Sequence, residues 1–140
     1  MNRSCRYWIF LGMVAGAGLA VAAQGQSQWT GVYSEDQAKR GETAFADKCS
    51  SCHANDLSGG DGPSLKGTEF SNNWNDLSIN DLFDRVVMTM PMNAPGSLTR
   101  PQAADIVAFV LKQGGYPSGS TELPADPDKL KAIKFLAKKP

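Results

Sequence analysis

Histidine is nearly absent from this chain: His53 stands alone in 140 residues. A single copy therefore cannot place two imidazoles on one metal ion. Cysteine is almost as scarce, with Cys5, Cys49 and Cys52, too few for a disulfide scaffold. Positive charge is short in the body, where seven Lys and Arg between Gln24 and Asp128 face fourteen Asp and Glu, a net of −7. That balance excludes nucleic-acid binding, which calls for a basic body. The last twelve residues reverse the sign, with five lysines and no acid. Long apolar runs are missing too. The stretch from Trp8 to Ala22 falls short of the ~20 residues a spanning helix needs.

What is present begins with that stretch. Arg3 and Arg6 precede it, Val21-Ala22-Ala23 supplies small residues, and Gln24-Gly25-Gln26-Ser27-Gln28 follows. Charged start, apolar centre and small-residue end make a secretory leader over 1–23, cleaved after Ala23. Cys5 leaves with it, and no span is then expected; an uncleaved N-terminal anchor is the lesser alternative. Residues 24–33 read as a linker, and the remaining length suits one domain with a modest core.

The chemistry gathers at Cys49-Ser50-Ser51-Cys52-His53. Two cysteines three apart, with histidine directly after the second, form the attachment signature of c-type haem. On one helical turn, positions i, i+3 and i+4 share a face. Two thioethers and one axial imidazole can thus converge on one macrocycle. Zinc would need more ligands than the exported chain supplies. Covalent haem outside the cytoplasm consumes both cysteines and points to the bacterial periplasm.

Ser34 is placed to cap a helix bearing Ala38, Gly41, Phe45 and Cys49 at helical spacing. Gly41 costs about 1 kcal/mol against alanine inside a helix, which close approach of another helix would justify. After His53 the chain turns polar and flexible through Gly62-Pro63, where a backbone carbonyl can orient the imidazole. Leu65, Phe70 and Trp74 are candidates to line the pocket, with the Trp74 indole N–H directed at a propionate. Ser78 opens a helix whose apolar face is Leu82, Phe83, Val86 and Val87. Met90 continues that face, and Pro91 ends the helix there.

Elimination leaves Met88, Met90 and Met92 as the methionines for a second axial ligand, beside a lysine or an open site, since Met1 and Met13 leave with the leader. Met88 falls beside Asp84 and Arg85, toward solvent. Met90 is the first candidate and Met92, two residues on, the alternative. Thr99-Arg100-Pro101-Gln102 is a capping box with proline in the first turn. It starts a helix with Ala103, Ile106, Val107 and Val110, stopped at Gly114-Gly115 and suited to pack on Gly41 and Phe45. Residues 116–140 read as a strap and a short amphipathic basic helix, with Leu130, Ile133 and Leu136 as its apolar face. The surrounding lysines suit a solvated face first and a docking patch second.

From Trp29 to Ile133 the chain resembles a mono-haem class I cytochrome c of bacterial type. The likeness is carried by Gly31-Val32-Tyr33, Gln37 to Glu42, Cys49 to His53, Gly62-Pro63, Trp74, Thr89-Met90-Pro91, Pro95 to Leu98 and Ala104 to Leu111. It implies an all-α fold with terminal helices crossing near Gly41 and Phe109, a haem domain over 34–115, and the Pro63 carbonyl on His53. It also implies His53 and Met90 as axial ligands, although Met92 stands where such loops usually carry a non-ligating residue. The Tyr116-Pro117 strap and Glu122-Leu123-Pro124 resemble cytochrome domains that accompany quinoprotein dehydrogenases. The implied function is one-electron transfer from a dehydrogenase toward a respiratory oxidase, not catalysis. Two alternatives stand beside it: a haem subunit of a larger dehydrogenase complex, and a sensor or peroxidase with a labile sixth ligand. The latter lacks a second histidine for acid–base work.

Overall fold

A computed structural model of the chain describes residues 25–140. The expected leader over 1–23, with Cys5 and the cleavage site, lies outside the described residues. After a 3₁₀ turn at Gln28–Thr30 come helices α1 (Glu35–Lys48), α2 (Ser50–His53), α3 (Gly67–Trp74), α4 (Ile79–Thr89), α5 (Arg100–Gln113) and α6 (Pro127–Lys131). The described residues form no strand beyond two isolated bridges.

The helix starts follow from their caps. Ser34 Oγ accepts from Gln37 N at 3.2 Å. Ser78 and Asp81 bond reciprocally at 2.8 and 3.3 Å, and Thr99 and Gln102 at 3.0 and 3.4 Å. Each pairing satisfies N–H groups that a helix start leaves open. Helix α3 carried no such signal: Lys66 precedes it without a side-chain bond, and Gly67 has φ 81°.

Helices α1 and α5 cross in backbone contact. A Cβ on Gly41 would fall on the Asp105 carbonyl oxygen and come within 2.9 Å of Phe109 Cβ. One turn on, the Phe45 and Phe109 rings pack with centroids 5.3 Å apart. Ala38, Phe45, Ala104, Val107, Ala108 and Leu111 are buried around this crossing. The expected role of Gly41 and its partner helix is what the structure has.

The segment read as a linker is instead part of the body. Ser27, Gln28, Val32 and Tyr33 are buried. Gln28 pairs with one residue of the C-terminal segment, giving its amide N–H to Leu136 O at 2.5 Å and accepting from Leu136 N at 2.9 Å. Gln37 does the same to Leu123, at 3.0 and 2.6 Å. A buried amide demands partners, and here each takes the N–H and C=O of an extended residue.

The C-terminal helix is shorter than its spacing suggested, ending at Lys131. Beyond it Ile133 and Phe135 are buried while Lys134 between them is exposed. That alternation is the period of extended chain. Backbone bonds hold it there, from Ile79 N to Ile133 O and from Phe135 N to Leu77 O, both at 2.8 Å. Phe135, rather than Leu136, therefore fills the core, in edge contact with Tyr116 and Phe70 at 5.5 and 6.1 Å.

Gly41→Ala drives a methyl into backbone that cannot move without opening the crossing. It should lower stability by at least about 2 kcal/mol, read from the denaturant midpoint of the haem-loaded protein. Tyr33 gives a pH test. Its hydroxyl donates to Tyr116 O at 2.6 Å, and burial, then the charge of Glu35, pushes its pKa up to about 12. The folded state thus holds this proton more tightly than the unfolded chain, where the pKa is about 10. Its contribution is complete below about pH 10 and is lost as pH rises through about 12. Denaturant midpoints across that window should fall more steeply for wild type than for Tyr33→Phe.

Candidate haem-attachment site

The two cysteines lie at a deliberate break in the helix. Cys49 ends α1 with φ −123° and ψ −31°, its N–H still bonded to Phe45 O at 2.8 Å. Its carbonyl then accepts from both Cys52 N and His53 N, at 3.1 and 3.0 Å. One short turn, anchored by Phe45 in the crossing, therefore carries all three residues. Cys49 is half-buried, and burial, then the neighbouring Cys52, pushes its thiol up to about 11. Cys52 is exposed, and the two thiols are not joined. Among the described residues no three His, Cys, Asp or Glu gather as a metal cluster.

His53 is 7 % exposed. Its Nδ1 lies 2.8 Å from Pro63 O. A carbonyl only accepts, so Nδ1 donates to it, and Nε2 is the nitrogen left to bind a metal. The loop that delivers Pro63 is knitted, not flexible as the sequence suggested. Gly59 N bonds His53 O at 3.0 Å, Gly62 N bonds Cys52 O at 2.9 Å, and Leu65 N bonds Leu57 O at 3.0 Å. Leu57 is buried within it at φ 63°. Asp56 is held down to about 2 by hydrogen bonds from Ser58 and then by Lys66, which ties the loop to its own exit.

Gly62 presses on the imidazole: a Cβ there would lie 2.8 Å from the ring Cε1 and 2.9 Å from Nδ1. The sequence did not single out this contact or Leu57. The only signal for it is the glycine run at positions 59, 60 and 62.

Cys49, Cys52, His53 and Pro63 thus form one contiguous unit. Met90 and Trp74 stand on other elements, with no hydrogen bond joining either to it among the described residues. Met90 caps α4 with φ −117° and ψ 150°, half-buried, its N–H on Val86 O at 3.2 Å. Met88 and Met92 are 69 % and 78 % exposed. Trp74 ends α3, half-buried against Phe70 at 6.2 Å. Two unjoined thiols on one turn, an imidazole with Nε2 available and a half-buried thioether are a donor set that fits covalent haem.

Gly62 shows no positive φ, so Gly62→Ala reports the ring contact and not backbone strain. It should destabilise the haem-loaded protein by about 1–3 kcal/mol, measured by chemical denaturation followed in the haem absorbance.

Residues 36–110 match a protein-family model described as cytochrome c oxidase, cbb3-type, subunit III. The match runs from the first turn of α1 to the last third of α5 and contains every candidate residue named above. No curated protein and no solved structure matches the chain.

Proposed function

From the premise that the chain belongs to this family of c-type cytochromes, with the class I all-α fold and covalent haem c, we propose a periplasmic one-electron carrier with His53 and Met90 as its axial ligands. The family makes it an electron carrier with redox-protein partners, not an enzyme. Haem supplies an iron that cycles between ferric and ferrous states; the chain's residues hold, orient and enclose it. Cys49 and Cys52 give the thioethers, and His53 Nε2 the proximal bond. The Pro63 carbonyl fixes the imidazole's tautomer and plane. The Trp74 indole N–H serves a propionate.

The observation that carries this reading is the 2.8 Å bond from His53 Nδ1 to Pro63 O. It commits one nitrogen and leaves the other for iron. Burial favours Met90 over Met92, because a residue 78 % exposed would have to move inward to reach the site. His53 and Met90 together would hold the haem without leaving a place for substrate, which disfavours a sensor or peroxidase, and a thioether with an imidazole would give it a higher potential than two nitrogens. That suits acceptance from a quinoprotein dehydrogenase and delivery toward an oxidase, whether as a free shuttle or as a subunit of the dehydrogenase complex. The leader over 1–23 supports the periplasm, and no helix among the described residues is long and apolar enough to cross a membrane.

Carbon monoxide added to the reduced haem protein at neutral pH should leave the visible spectrum unchanged. Met90→Ala should bind it promptly, while Met92→Ala should behave as wild type. A prompt shift in the wild type, or the reverse pattern in the variants, overturns the ligand assignment and moves a labile-site function forward.

A further inference from the structure

Arg100 is the one cation among the described residues that is half-buried and has no carboxylate partner. Arg40, Lys48, Lys66, Lys112 and Lys131 each pair with a carboxylate, and the remaining lysines and Arg85 are exposed. Arg100 opens α5, and its side chain turns onto α4 and the strap. Nε donates to Ala125 O at 2.9 Å. The guanidinium carbon stands 4.6 Å from the centroid of the Phe83 ring, which is fully buried. Nη2 is buried with no partner. Two carboxylates of α4 are engaged elsewhere, Asp81 by Ser78 at 2.6 Å and Asp84 by the Asn80 amide at 2.7 Å. An uncancelled positive charge is therefore held at the junction of α4, α5 and the strap.

Resting on the haem reading above, we propose that this charge raises the reduction potential of the site. Phe83 and Met90 are seven residues apart along α4 and its cap. Seven residues make two helical turns, so the two follow one face about 10 Å apart. The guanidinium on Phe83 thus lies on the face of α4 that ends at Met90. Taking up an electron makes the site more negative, and a fixed cation at such range favours the reduced form several-fold. A guanidinium suits this use because it stays charged at every working pH, and its flat face packs on an aromatic ring. Cover by Phe83 keeps water and salt off the inner nitrogen, so this charge is screened less than those of the surface lysines. A role confined to tying down the strap would need one neutral donor for the Ala125 carbonyl. It would not call for a permanent charge with an unspent donor against Phe83.

The test is an optical redox titration of the haem-loaded protein beside Arg100→Gln, Arg100→Met and Arg100→Lys. Glutamine keeps a donor for the Ala125 carbonyl and methionine keeps packing on Phe83, both without charge. Each should lower the equilibrium constant for reduction about threefold, or about 28 mV for one electron. Arg100→Lys should stay closer to wild type than either. The shift should persist at about 1 M salt, where exposed charges are screened within about 3 Å. Carbon monoxide should leave the spectra of all three variants unchanged at neutral pH. An unchanged potential in both neutral variants, an equal fall in all three, or loss of the shift in salt overturns the role of the charge. So does prompt carbon monoxide binding by the variants alone, which would assign Arg100 to holding Met90 in place. Prompt binding by the wild type instead overturns the axial ligands, and the comparison of potentials still decides the role of Arg100.

Discussion

Backbone touches backbone where α1 crosses α5, and the missing side chain of Gly41 allows it. The Asp105 carbonyl occupies the volume a Cβ would need. This contact sets the depth at which α1 lies, which in turn seats Phe45 against Phe109. Phe45 is also the residue whose carbonyl receives the Cys49 N–H at the helix break. The position of the attachment turn is thus referred back through one turn of helix to the close crossing of α1 and α5. A glycine whose helix propensity is poor is kept because sterics outweigh about 1 kcal/mol of backbone entropy.

The second constraint is the pair of glutamine clamps. The strap and tail run extended across the body, and extended chain has backbone groups that neighbouring turns cannot satisfy. Gln28 and Gln37 answer one residue each, Leu136 and Leu123, with both an acceptor and a donor. Losing the Gln37 amide would strand two buried backbone groups, at about 1–3 kcal/mol apiece, and losing that of Gln28 would strand the Leu136 N–H. Trp29 adds its indole N–H to the same Leu136 carbonyl at 2.9 Å. The residues before α1 and those after α5 are therefore one structural unit, though about a hundred positions separate them.

These two constraints differ in how well they can be read from sequence. Helix starts at Ser34, Ser78 and Thr99 were legible because capping is local chemistry, complete within three or four residues. The Gly41 contact was legible because a glycine in a helix asks for a reason. The attachment turn was legible because spacing dictates it, and a carbonyl near Gly62-Pro63 because a ligating imidazole needs an acceptor on its other nitrogen; the resemblance singled out Pro63. The linker reading failed because polar Gln28 looks solvent-facing until its partner Leu136, far along the chain, is known. The tail helix failed for a related reason. Leu130 and Ile133 fit a helical face, but extended pairing with Leu77 and Gln28 competed for Phe135 and Leu136 and won. Helix α3 was missed because it begins without a cap.

The scarcity of histidine connects the site to the rest of the fold. With one imidazole in the chain, any second protein ligand must come from softer or weaker donors. The thioethers at hand lie within five residues, Met88 to Met92. What separates them is not sequence but the end of α4. Met88 still follows the helical phase and faces solvent, while Met90 adopts extended φ and ψ as Pro91 forbids another turn. Met92, past the proline, is turned out. Which of three chemically identical sulfurs is half-buried thus rests on where a helix stops. The capping box at Ser78 and Asp81 fixes where that helix starts. The phase of α4, set by Ser78 and Asp81 twelve and nine residues before Met90, decides which of these sulfurs is half-buried.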